Sequence, residues 1–128
     1  LLLPFWSLES AALITEHAFK IMGMRKIYSH QHELLYKWGQ RMELLGYKLE
    51  GFDEGGFVKG DEISDFLSLT CQYKDFIHLF KLRGGRLWDS QHKMINRIKK
   101  LPKKTFFNAL KSFWERERKH YYKDLYKL

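Results

Sequence analysis

Five glycines fall between positions 46 and 60 (Gly46, Gly51, Gly55, Gly56 and Gly60). No ordinary α-helix crosses such a stretch, because each glycine in a helix interior costs about 1 kcal/mol relative to alanine. Between them lie short apolar pieces, Tyr47 and Leu49, then Phe57 and Val58. Turn formers interleaved with small apolar groups read as a hairpin or an extended connector. This is the only segment read as sheet, so the flanking periodicity decides the fold class.

Both flanks read as helical. Ser7 to Met22 places Leu8, Ala12, Phe19 and Met22 near helical spacing, with Ser7 as N-cap and Gly23 as the stop. Ser29 to Leu45 puts Leu34, Leu35, Trp38, Met42 and Leu45 on one face, closed by Gly46 as a left-handed cap. After Asp61, a good N-cap, Ile63, Phe66, Leu67, Thr70, Tyr73, Ile77 and Phe80 follow helical spacing to Leu82, with a break near Thr70. Gly84 and Gly85 force a turn. A short basic helix is expected from Ser90 to Lys100, stopped by Pro102, and a long amphipathic one from Thr105 to Tyr126. Length bounds the chain to about one domain: a helical part over residues 1–89, with residues 90–128 as a basic helical extension packed on it.

Charge is unevenly divided. Residues 79–128 carry fifteen Lys/Arg against four Asp/Glu, or +11, while residues 1–78 carry eight against eleven, or −3, which together make the net +8. Clustered cations repel one another unless an anionic partner neutralises them, so RNA or another nucleic acid is the expected partner. Lys99, Lys100, Lys103 and Lys104 bracket Pro102, and Lys111, Arg116, Arg118, Lys119 and Lys123 follow among Trp114, Tyr121 and Tyr122. Cations neutralise phosphate while rings stack on unpaired bases. Arg83 and Arg86, flanking the double glycine, form a second phosphate-facing loop. Four Trp, seven Tyr and ten Phe in 128 residues exceed what a small core hides, so some rings face outward and suit docking onto protein subunits of a larger assembly.

Motifs for chemistry are sparse. Cys71 is the only cysteine, which excludes an intramolecular disulfide framework and fits a reducing intracellular compartment, for example a mitochondrial matrix. No apolar run approaches the roughly 20 residues of a membrane span. Leu1, Leu2 and Leu3 could end a targeting segment, but a secretory signal's positive flank and cleavage site are missing. His30 and His32, placed on a helix, would point about 200° apart and could not share a metal. Cys71 and His78 lie some 10 Å apart on a helix, too far for a nucleophile and its base. Asp53, Glu54, Asp61 and Glu62 read as turn and cap chemistry. An EF-hand register on Gly56, Val58, Glu62 and Ile63 fails because Gly51 and Gly55 then occupy ligand positions. These readings predict no enzyme, no cofactor and no metal.

Leu34 to Ile63 resembles the N-terminal winged-helix region of the RNA 2'-phosphotransferase family. The matching pieces are Leu45-Gly46, then Asp53-Glu54-Gly55-Gly56-Phe57-Val58, then Asp61-Glu62-Ile63. Where that family has an early Arg-His pair this chain has Gly39 and Gln40, so transfer chemistry is not implied. The resemblance implies a winged-helix-like module used for RNA contact. The combined expectation is a mainly α domain with one short β-hairpin, a winged-helix-like centre and a C-terminal amphipathic helix. It would serve as a non-catalytic RNA-binding or structural subunit of a ribonucleoprotein assembly. The alternative is an accessory structural subunit of a multi-protein, organellar membrane-associated complex, docking through exposed aromatics.

Overall fold

A computed structural model describes residues 5–127, so Leu1, Leu2 and Leu3 lie outside the described residues. Helix α1 (Phe5–Lys20) leads to strand β1 (Lys26–His32), and two short 3-10 turns flank helix α2 (Tyr36–Met42). A long hairpin follows, β2 (Tyr47–Lys59) and β3 (Glu62–Gln72), then helices α3 (Tyr73–Leu82), α4 (Gln91–Lys99) and α5 (Phe106–Tyr126). The three strands form one antiparallel sheet in the order β1-β3-β2.

The expected fold class is therefore corrected. Of the described residues 56% are helical and 25% are in strands, and β3 and the second half of β1 occupy segments read as helix. In β3, Leu67, Leu69 and Cys71 are buried on one face while Phe66, Ser68 and Thr70 stand on the other, the two-residue period of a strand. Ile63, Phe66, Leu67 and Thr70 happen to satisfy the helical period as well. Lys26–His32 likewise alternates Ile27, Ser29 and Gln31 with Tyr28, His30 and His32. A winged-helix centre does not exist here, because the helix that would precede its hairpin is one strand plus a broken, seven-residue helix.

One face of the sheet is roofed. Leu8, Ala12, Thr15 and Phe19 recur along α1 at helical spacing and are buried with Tyr47, Leu69, Cys71 and Phe76. Thr15 Oγ1 and the Tyr47 hydroxyl share a buried 2.8 Å hydrogen bond that fixes α1 over β2. Helix α2 sits on the same face at Gly39. A Cβ there would lie 3.3 Å from Gln31 Oε1 and 3.4 Å from Leu69 Cδ1, so a larger residue would press on both side chains and glycine lets the helix come close. Gly46 ends this stretch in the left-handed region at φ 99°.

The segment after α3 closes the core. Leu87 is fully buried beside Leu8 and Met94. Its N–H donates to Glu16 Oε1 on α1 (2.7 Å), and its carbonyl accepts from Arg83 Nη1 (2.9 Å). Asp89 and Arg97 form a two-pronged ion pair at 2.7 and 2.9 Å that ties this loop to α4. Ser90 and Thr105 cap α4 and α5 by accepting from the backbone N–H of Lys93 and Asn108. Only the first turn of α5 is deeply packed, through Phe107 against Phe52 and Tyr36.

Candidate active site

The unroofed face of the sheet gathers its polar side chains. Pairing of His30 with Ser68 and of Tyr28 with Thr70 places these groups side by side on β1 and β3. At one end Glu50 Oε1 accepts from Thr70 Oγ1 at 2.7 Å and pairs with Lys26 Nζ at 3.2 Å. The Thr70 hydrogen bond, then Lys26, holds the Glu50 carboxyl below its ordinary range, and Glu50 raises Lys26. Lys26 Nζ also lies 4.9 Å from the centroid of the exposed Tyr28 ring. At the other end His32, Phe57 and Phe66 meet edge to face and form an aromatic wall.

His30 and His32 thus share one face, since residues two apart on a strand point the same way. The helical reading had set them on opposite sides. His32 is engaged, its Nδ1 accepting from Leu34 N at 3.1 Å, whereas His30 is exposed. Strand β1 is an edge of the sheet, so one side of its backbone is unpaired by any strand. Beyond β2, a groove of about 540 Å³ runs between Glu50–Glu54 and α5, lined by Glu50, Asp53, Glu54, Leu110 and Trp114. Among the described residues no cluster of three or more His, Cys, Asp or Glu is placed to hold a metal, and no helix is long and apolar enough to cross a membrane.

Several of the residues expected to bind nucleic acid are engaged within the molecule, while others stay exposed. Lys111 is held by Glu33 (3.0 Å) and Asp65 (3.2 Å), Arg118 by Glu54, and Arg116 by Glu117 at 3.6 Å. Arg83 is half-buried against the Leu87 carbonyl, leaving Arg86 alone exposed in that loop. Tyr121 packs edge-on to Tyr122, which stacks on Tyr126, and Trp114 borders the β2 groove. Lys119 and Lys123 flank a separate depression on α5. Lys99, Lys100, Lys103 and Lys104 stay exposed around the α4–α5 linker. Sequence periodicity alone does not bring Tyr28, His30, Glu50, Ser68 and Thr70 together. Alternation within Lys26–His32 was the signal that could have found them.

This sheet order, with helices on one face and a long central hairpin, resembles the GNAT acetyltransferase fold. Its structural neighbours include a mutant form of the spermidine/spermine N-acetyltransferase SpeG of Vibrio cholerae, at 18% identity and a TM-score of 0.54 over 57% of this chain and 44% of that one. A second, described only as "putative acetyltransferase", also aligns at 18% and 0.54, over 59% of this chain and 43% of that one. The chain thus spans less than half the length of the structures it matches. No protein-family model and no curated protein matches the sequence. The winged-helix module of the RNA 2'-phosphotransferases is absent, which overturns that likeness, and neighbours described as acetyltransferases run against the non-catalytic ribonucleoprotein reading and its docking alternative. Identity this low carries the fold and no substrate.

Proposed function

We propose that the protein containing this chain transfers an acyl group from an activated donor to an amine. The observation that carries the reading is the acetyltransferase-type sheet, whose polar face and free β1 edge lie open together. The unpaired backbone of β1 suits hydrogen bonding to the amide-like body of an acyl donor. In the step itself the acyl C–N bond forms as the bond to the leaving thiol breaks. His30 takes the amine proton and returns it to the departing thiolate, leaving the amide and the free thiol. In the groove beside Trp114, Glu50 and Glu54 are held by Lys26 and Arg118, while Asp53 has no ion-pair partner among the described residues; its carboxylate and the ring face suit a cationic amine.

The test supplies the purified protein with an acetyl thioester and a panel of amines that includes spermidine and peptides, following thiol release and acetylated product. The expected result is amine-dependent release. His30→Ala should lower kcat by about 10²-fold or more with donor binding retained, and Asp53→Asn should raise the amine KM. Absence of release with every amine, with no saturable donor binding, would refute the reading.

A further inference from the structure

A second groove lies on the far side of α2 from the sheet. Its walls are α2, through Lys37, Gln40 and Arg41, and the α4–α5 linker, through Ile98, Leu101, Pro102 and Lys103; its volume is about 370 Å³. Gln40 Nε2 donates to the Pro102 carbonyl at 2.7 Å and pins the two walls together. Lys37 and Arg41, one helical turn apart, both line it, a like-charge pairing that is unfavourable when nothing neutralises it. Lys103 faces them. The lining holds no carboxylate, and none of these three cations has an ion-pair partner among the described residues. That contrasts with Lys111, Arg97 and Arg118, each of which meets an acid. Lys99, Lys100 and Lys104 flank the linker and add to the same field.

We infer that this groove binds a compact organic phosphate, with the phosphoryl or diphosphoryl group between Lys37, Arg41 and Lys103 and a ring or apolar body on Ile98, Leu101 and Pro102. Arginine offers a fork that matches phosphate oxygens, and the two lysines supply point charge. The volume falls in the range of small-molecule sites. A small, walled groove with an apolar floor suits a nucleotide-sized anion better than a long polymer. The inference does not depend on acyl transfer, since it uses neither the open sheet face nor the β1 edge.

Titration calorimetry with the intact protein tests it, using ADP, adenosine and inorganic pyrophosphate as probes. ADP should bind saturably and more tightly than either of the others. Affinity should fall at least about tenfold in the Lys37→Gln/Arg41→Gln/Lys103→Gln variant, the loss expected when charge-assisted hydrogen bonds are removed. A Lys119→Gln/Lys123→Gln control, of nearly the same charge change, should bind ADP as the parent does. Circular dichroism checks that both variants fold, and the single variant Lys37→Glu, on the exposed face of α2, provides a second reading with the same expected direction. No ADP binding, equal loss in the control, or pyrophosphate binding as tightly as ADP would each overturn the inference.

Discussion

Replacing Asp89 with asparagine should destabilise the protein by an amount that depends on pH in a calculable way. Asp89 is nearly buried, its side chain 10% exposed, and Arg97 grips both carboxylate oxygens. The Arg97 hydrogen bonds hold the carboxyl far down, from an ordinary 3.8 to about 2. Each tenfold change in proton affinity is worth about 1.4 kcal/mol, so the charged pair contributes roughly 2–2.5 kcal/mol at neutral pH. Because the folded pKa is depressed, that contribution is fully present above the unfolded value near 4. It is lost as pH falls through the folded value near 2. Asp89→Asn should therefore lower unfolding stability by about 2–3 kcal/mol at pH 7, close to 10 °C in Tm for a chain of this size. The variant leaves Arg97 beside Arg83, a guanidinium already disfavoured by burial and then by Arg97. Urea melts of parent and variant at pH 7, 4 and 2.5 measure this, and the gap between them should narrow steadily with acidification. A gap of constant size across that range, or one under about 0.5 kcal/mol at pH 7, would refute the reasoning.

Leu87→Ala should cost about 2–5 kcal/mol by thermal or urea unfolding, because a fully buried side chain against Leu8 and Met94 leaves a cavity. Cys71 should resist a thiol reagent at pH 8 in the native protein and react promptly in urea. It is fully buried, and burial pushes its thiol up to about 12. Stoichiometric labelling of the folded protein within the mixing time would contradict that.

Some of this architecture could be read directly from the chain. The starts of α4 and α5 follow from Ser90 and Thr105, capping residues set before amphipathic runs, and Gly46 marks the end of the α2 stretch by its left-handed backbone. Strands β1 and β3 were hidden for different reasons. In β3, residues 63, 66, 67 and 70 satisfy a helical period while residues 67, 69 and 71 satisfy a strand period, and only pairing with β1 and β2 decides between them. In β1 the polar alternation of a half-exposed strand carries no apolar run at all. The site was hidden because its parts are distant in sequence. The link from Lys111 to Glu33 spans 78 residues, so an inventory of basic residues cannot show that this one is already neutralised. Charge counts locate cations and say nothing of which carboxylate each will meet.

The uncovered border at Lys26–His32 also sets the direction in which this sheet can grow. Helix α5 packs against β2, so on that flank a newcomer must contend with Phe52, Leu110 and Trp114. The other flank offers seven residues of backbone without a neighbouring strand. Any polypeptide that adds itself to the array there would align beside Tyr28 and His30 and border the open polar face. Crowded samples of the isolated chain accordingly run a risk of edge-to-edge aggregation.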